Sequence, residues 1–492
     1  MKEPAIYHKQ EIEEFIGNPL IEALPPPEDP ANYPKLLMSL PGYSEDERKN
    51  DARWRLARLQ RISQVHVPTK KDSMLMLSIG RCIRWSYADR NPIPFDEVKK
   101  ILKNEGRQVS ESLERYLTSP KAPIYGFPVL GVSGAGKTTS VENVLSLFPQ
   151  AISHTNYRGL DFKQDQLVWL KVDCPPDGTP KGLCAAILQG VDIALKSDYT
   201  SQILRNRMSK DVLLIKVSKL IQDLHLGILL LEDIQNLCGT KATVSKELLN
   251  FMVSLANSLR IPVVMIGTPK ILTLLQKEFQ QAKRASGEGE IRMDLMTRGS
   301  TEWKRFISFV WTYQYTAEKV ELTEEMEKQF FEESVGNPFV ASLLYKLVQD
   351  DAIIGRKETF DISDVSRVAR EKMGITAKMR RDMLAGIDVE LNAYRRLWEV
   401  TNFVPAVNSS SDKKITKQGK ASEEEFNSLV KEIATMLVNE GLQMNDACSY
   451  ARQAIAAYPA DYNADTLRGY AMALYKIKSG YSGVESAETK TQ

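Results

Sequence analysis

The chain has 492 residues, 43% hydrophobic and 26% charged, with a formal net charge of +2; that is room for roughly two to four ordinary globular domains, and any nucleic-acid contact must come from local patches rather than total charge. No run approaches the roughly 18–20 apolar residues needed to span a bilayer, and the N-terminus MKEPAIYHKQEIEEF lacks an apolar signal core, so no membrane partner and a cytoplasmic setting are expected. The five cysteines (Cys82, Cys174, Cys184, Cys238, Cys448) are odd in number and form no C-x-x-C pair or Cys/His cluster, which argues against a disulfide framework or a zinc site.

In chain order, residues 1–45 are proline-rich, including Pro25-Pro26-Pro27, and read as an extended arm with one short helix near Glu11–Ile16, either docked or disordered. Residues 46–119 read as helical and are the most basic stretch: Arg48, Lys49, Arg53, Arg55, Arg58 and Arg61 alternate with Trp54, Leu56, Leu59 and Ile62. That pattern suits a solvated helix face or a phosphate-contacting one. Residues 120–317 alternate apolar runs (Ile124–Leu130, Leu167–Val172, Gly227–Leu231, Ile261–Ile266) with helical segments at Lys181–Lys196, Lys210–Leu224 and Lys246–Leu259. Continuous apolar strands between helices predict an α/β fold with a parallel sheet covered on both faces and a ligand at the C-terminal strand ends. Residues 318–405 read as a helical lid, with helix starts at Thr323-Glu324-Glu325, Asn337-Pro338-Phe339 and Asp361 to Asp364. A flexible linker is expected at 406–420, a C-terminal helical module at 421–478 (helices Ser422–Glu440, Asn445–Ala457 and Ala464–Ile477) and a polar tail at 479–492.

The run Gly131-Val132-Ser133-Gly134-Ala135-Gly136-Lys137-Thr138 fits the phosphate-loop pattern G-x-x-x-x-G-K-[ST] at every position. Glycines let backbone N–H groups turn towards phosphates, and the helix that follows adds partial positive charge. The expected nucleotide contacts are Gly131, Ser133, Gly134, Ala135, Gly136, Lys137, Thr138 and Thr139. Lys137 would reach the β- and γ-phosphates, and the Thr138 hydroxyl would ligate Mg²⁺; ATP with Mg²⁺ is the expected ligand pair.

A second motif is the strand Gly227 to Leu231 followed by Glu232-Asp233. Acids at a strand end meet Mg²⁺ and water. Two registers are open: Glu232 takes the metal and Asp233 positions water, or Asp233 is the metal carboxylate and no acid follows it. Either way the water-activating group is shorter, displaced or missing, and a misplacement of about 1 Å can cost roughly a hundredfold. Slow hydrolysis is therefore expected; a turnover number well above ~10 s⁻¹ would refute it. A third strand, Val263 to Gly267, ends in Thr268, placed to bond the attacking water or the γ-phosphate. Beyond it lie Lys283, Arg284, Arg292 and Arg298, among which an arginine finger acting on a neighbouring subunit's γ-phosphate is expected. Thr179 and Lys181, opening a helix, could contact a DNA phosphate or simply form a capping turn.

With these motifs in order the chain resembles the AAA+ ATPases, and more narrowly TnsC, the target-selection ATPases of bacterial cut-and-paste transposons, with the related TniB. The resemblance spans roughly residues 15–400. It includes Asn18 to Pro25, Arg90-Asn91-Pro92, Trp169 to Cys174, Glu232 to Leu237, Leu249-Asn250-Phe251, Ile266 to Lys270 and Ala282 to Gly289. It implies ATP-bound subunits assembling as a ring or filament on double-stranded DNA, largely without sequence preference. The assembly would link a target selector (a protein or an RNA-guided complex) to transposase subunits, with hydrolysis controlling disassembly. By matching position Thr268 is the first sensor and Arg284 the second arginine of a family pair whose first is Lys283 here. Glu232 and Asp233 match the family's Asp-Glu pair in reversed order. The C-terminal module would be a transposase-docking unit. Alternatives are a replication-initiator or helicase-loader ATPase, a small-molecule kinase with a phosphate loop, and a scaffold that uses ATP only to assemble.

Overall fold

The computed structural model describes residues 2–374, except 105, 108, 119–125, 205–207, 240–241 and 272–288, together with a few helical residues between 431 and 448. The chain divides into two compact units, Met1–Tyr394 and Arg395–Gln492, and the sheets and the helices around them belong to the first.

The main sheet has five strands: β2 (Pro128–Gly131), β5 (Trp169–Asp173), β6 (Ile228–Glu232), β7 (Val263–Gly267) and β8 (Ile291–Met293), in the order β5-β6-β7-β2-β8 with every pairing parallel. β6 and β7 read Ile-Leu-Leu-Leu-Glu and Val-Val-Met-Ile-Gly and are buried along their whole length. Such strands cannot face water on either side, so helices cover them. Helix Lys70–Ala88 packs against the helix that follows β2, Lys137–Leu145, and against β6 and β8. Helix Pro180–Leu195 packs on β5 and meets Lys210–Asp223 and Ala242–Ser258. The α/β class and the four expected strands stand. The first begins at Pro128: Gly126 and Phe127 are described but precede the strand, and 119–125 lie outside the described residues.

A second sheet is absent from the sequence reading. Strand β1 (Glu3–Pro4) pairs in parallel with β3 (Ala151–Tyr157), which pairs antiparallel with β4 (Leu160–Leu167). The β3–β4 turn is Arg158-Gly159, both at positive φ (50° and 86°), the backbone a two-residue hairpin of matching twist requires.

The arm of residues 1–45 is docked. Leu20, Ile21 and Leu24 are fully or almost fully buried in the same core as the sheet. Asn18 explains the start of the Asn18–Pro25 run: its Oδ1 accepts from Leu20 N (3.1 Å) and its Nδ2 donates to Tyr87 O (2.8 Å). Buried Glu22 accepts from Gly17 N and pairs with Arg158 at 3.0 Å.

Helix Thr301–Trp311, inside the stretch read as the nucleotide-binding core, is followed in the stretch read as the lid by Glu324–Ser334, Pro338–Ile354 and Ile362–Lys372, and these four pack together. Their core, around Trp303, Phe330 and Tyr345, also takes in Leu59, Ile62, Val65 and Val67. Several arginines of the basic region are therefore structural. Arg55 is buried, forks onto Glu358 (2.6 and 2.8 Å) and donates to Tyr315 O. Arg48 donates to Thr316 and Ala317 carbonyls, and Arg61 pairs with Glu47. These side chains staple residues 46–61 to the lid or to each other rather than forming an open phosphate-contacting face; Arg53 stays exposed beside Asp51. The expected linker, module and tail fall outside the described residues apart from the few positions between 431 and 448.

Candidate nucleotide site

Three strand ends converge. Registers Leu130↔Gly267 and Leu231↔Met265 set β2, β7 and β6 side by side, so Gly131, Thr268 and Glu232 lie along one edge of the sheet. The phosphate loop leaves β2 there. Gly134 (φ +78°) and Gly136 (φ +91°) are left-handed, a conformation that favours glycine. At Gly134 a Cβ would lie 2.7 Å from Asn337 Oδ1. Gly136 is also the N-cap of helix Lys137–Leu145 and has no side chain to offer the first-turn N–H groups, which leaves them to an anion. Lys137 Nζ lies back along the loop, donating to the carbonyls of Gly131 (2.8 Å) and Val132 (3.0 Å).

The Thr138 hydroxyl donates to Glu232 Oε1. Of the two acids, it is the first, Glu232, that meets the loop threonine. Glu232 is 8% exposed, and its other oxygen accepts from Lys171 Nζ at 2.9 Å. Lys171 also reaches Glu142 at 2.6 Å. Burial works against the Lys171 charge, but the hydrogen bonds to Glu142 and Glu232 outweigh it and raise the ammonium above its ordinary pKa.

Asp233 is bonded to Gln235 instead. It is exposed at φ 52°, and its Oδ1 accepts from Gln235 Nε2 at 2.8 Å. The other end of that amide, Oε1, accepts from Thr268 N at 3.2 Å. Gln235 thus ties the second acid to the end of β7. The Thr268 side chain is buried, and among the described residues its hydroxyl has no hydrogen-bond partner. An orphaned buried hydroxyl costs about 1–3 kcal/mol, and one at this strand end fits a phosphate or water partner. Thr138 and Glu232 offer a hydroxyl and a carboxylate. Among the described residues there is no group of three or more His, Cys, Asp or Glu able to hold a metal. This hard-oxygen pair fits a Mg²⁺ that arrives with a nucleotide's phosphates rather than one caged by protein.

The lid closes on the loop through Asn337, a residue the sequence marks only as a helix start. It is fully buried, its Oδ1 caps helix Pro338–Ile354 by accepting from Phe339 N (3.1 Å) and Val340 N (3.2 Å), and its Nδ2 donates to Ser133 O (3.0 Å). A cavity of about 500 Å³ lies beside the loop, lined by Gly134 to Gly136 and Thr139 on one side, Val65 to Val67 on another, and Pro338, Phe339 and Leu343 from the lid.

The other expected residues separate. Thr179 is a capping residue: its hydroxyl accepts from Gly182 N (3.0 Å) and donates to Asp177 (2.8 Å), while Lys181 is exposed. Arg292 is buried in β8 and pairs with Glu290. Arg298 is exposed. Lys283 and Arg284 lie outside the described residues.

Residues 128–275 match an AAA domain family. No curated protein matches the chain. Similar solved structures include a Walker-type ATPase of Pyrococcus abyssi (13% identity, 66% of this chain and 82% of that one, TM-score 0.31) and Drosophila ORC bound to DNA (11% identity, 72% and 73%, TM-score 0.32). The chain therefore contains an AAA-type P-loop ATPase domain, and among the described residues no helix is long and apolar enough to cross a membrane.

Proposed function

We propose that this chain is an ATP-dependent, DNA-binding regulator of transposition of the TnsC type. It assembles on double-stranded DNA and links a target selector to the transposase, with slow ATP hydrolysis timing its release. The observation that carries the nucleotide half is the meeting of Thr138, Glu232 and the Gln235–Thr268 link at one edge of the sheet beside the phosphate loop. The transposition half rests on the resemblance of the sequence runs named above to the TnsC family.

In this reading Lys137 exchanges its loop carbonyls for phosphate oxygens, and Thr138 and Glu232 hold Mg²⁺. Mg²⁺ held by these two groups would supply charge neutralisation at the phosphates. Asp233 orients water through the Gln235 link, and Thr268 donates its hydroxyl to water or the γ-phosphate. Arg284 of a neighbouring subunit completes the site. Thr179 and Lys181 are the proposed phosphate contacts on DNA. The backbone around Thr179 is already capped, so Lys181 carries the charge there.

Electron microscopy of the full chain with duplex DNA tests this directly. Rings or filaments with ATP or a slowly hydrolysed analogue, and none with ADP, are expected. Dispersed monomers under every condition would overturn the assembly reading.

A further inference from the structure

Beside the phosphate loop, the cavity wall formed by residues 60–72 mixes Val65 and Val67 with polar groups, among them Gln60, His66, Lys71 and Asp72. His66 lines it between Val65 and Val67. Both backbone groups of His66 are spent on Ser39 (N to Ser39 O 2.8 Å, O from Ser39 N 3.1 Å). Its Nε2 is 3.0 Å from Asp72 Oδ1. Asp72 is 2% exposed and accepts from Thr69 N (2.8 Å) and the Thr69 hydroxyl (2.7 Å). Burial raises the Asp72 pKa, but the hydrogen bonds from His66 and Thr69, with Ser140 alongside, outweigh it and hold the carboxyl below its ordinary range.

An ionised carboxylate only accepts. With the proton of that pair on Nε2, a neutral imidazole offers Nδ1 as its acceptor. Nδ1 has no hydrogen-bond partner among the described residues, in a side chain that lines the cavity. Two neighbouring polar groups are committed: Gln60 Oε1 accepts from Lys346 Nζ (2.6 Å), and the Thr69 hydroxyl donates to Asp72. The helix that carries Asp72, Lys70–Ala88, packs against the helix that begins with Lys137 and Thr138. The ring is thus held at a fixed place relative to the phosphate loop.

We propose that His66 is a base-selecting residue: held as the Nε2–H tautomer by Asp72, it offers Nδ1 to the exocyclic amine of adenine and repels the O6 of guanine. This rests on the nucleotide reading above. Adenine presents a donor at position 6 and guanine an acceptor. A site built around one hydrogen-bonding pattern rejects the other because polar groups are left facing unpaired. Val65, Val67, Pro338, Phe339 and Leu343 supply apolar walls of the kind base stacking uses.

The test is equilibrium binding of fluorescent ATP and GTP analogues to the full chain, with Lys137→Ala as the control for phosphate-loop binding. The natural protein should prefer ATP by about tenfold or more. His66→Gln places an amide N–H where Nε2 was, keeping the bond to Asp72, but has no acceptor at the Nδ1 position. Its preference should collapse to about twofold while its thermal midpoint without nucleotide stays put. Asp72→Asn is an independent arm: its amide can donate to Nε2, move the ring proton to Nδ1 and shift the preference towards GTP. Equal affinity of the natural protein for both nucleotides, or an unchanged preference in His66→Gln, would overturn the role of His66 while leaving nucleotide binding intact. Binding of neither nucleotide by the natural protein would overturn the nucleotide reading itself, and the His66 role with it.

Discussion

Asn337 makes two kinds of bond that can be separated experimentally. Its Oδ1 caps helix Pro338–Ile354, and its Nδ2 holds Ser133 O in the phosphate loop. Removing an N-cap costs about 1 kcal/mol, and losing the bond to the buried loop carbonyl costs about 1 kcal/mol more. Asn337→Ala should therefore favour local opening of the helix start by about 2 kcal/mol, roughly thirtyfold. Asn337→Ser keeps a capping oxygen but is too short to reach Ser133, so it should lose only the second part, roughly fivefold. Native-state hydrogen exchange on the peptide covering the start of this helix reads both values without requiring the whole chain to unfold as one unit. If the lid positions the loop for phosphates, both variants should also bind ATP several-fold more weakly, and by similar amounts. Natural ATP affinity in both, with exchange accelerated as stated, would refute the reasoning: the contact would then be a helix cap that happens to touch the loop.

Lys137→Ala should abolish ATP-dependent assembly on DNA, and filaments as abundant as those of the natural protein would refute the nucleotide role. Gln235→Ala frees Asp233 from the end of β7; steady-state phosphate release should fall about tenfold or more with ATP binding retained, because the loss is in positioning rather than affinity. Lys171→Met removes a positive charge 2.9 Å from Glu232, so the Mg²⁺ concentration for half-maximal ATP hydrolysis should drop; a rise would mean Lys171 helps hold the site in shape instead. DNA affinity should fall steeply with salt and vary little with sequence, and in Lys181→Ala the log–log salt slope should shrink by about one unit; an unchanged slope removes Lys181 from the phosphate contacts.

The residues of the site were legible where chemistry forces a spacing. The phosphate loop, the acids after an all-apolar strand and Thr268 after another are local signals, each written in fewer than ten residues. The contacts between them were not legible. Which acid meets Thr138 depends on side-chain reach and on the turn at Asp233, and no spacing encodes either. The hairpin β3–β4 was missed for a different reason. Leu160–Leu167 reads Leu-Asp-Phe-Lys-Gln-Asp-Gln-Leu, too polar to stand out as a strand, and its turn uses arginine at the first positive-φ position, where Asn or Asp would have signalled it. The arginines of residues 46–61 misled in the opposite sense. Clustered charge reads as a surface, yet Arg48 and Arg55 meet carbonyls and a carboxylate more than 250 residues away, and long-range pairing leaves no mark in local sequence. His66 carried no motif. Its place in the cavity follows from the Ser39 bridge and the Asp72 contact, both tertiary.

The reversed acids now have a geometric consequence. β6 ends on Glu232, whose longer side chain lets one carboxylate touch both Thr138 and Lys171. The acid left for water is Asp233, one methylene shorter, on a backbone turned into the left-handed region at φ 52°. That conformation is unfavourable for most residues and tolerated by aspartate, and here it is held by Gln235. The reversal therefore gives up reach at the water position while keeping it at the metal position. A misplacement of about 1 Å there is worth roughly a hundredfold in rate, whereas on the proposed reading ATP binding through Lys137, Thr138 and Glu232 would be untouched. On the proposed reading, an ATPase built this way would stay in its triphosphate state long after binding. A protein that must hold an assembly on DNA until other components arrive has use for that delay, and a small-molecule kinase has none.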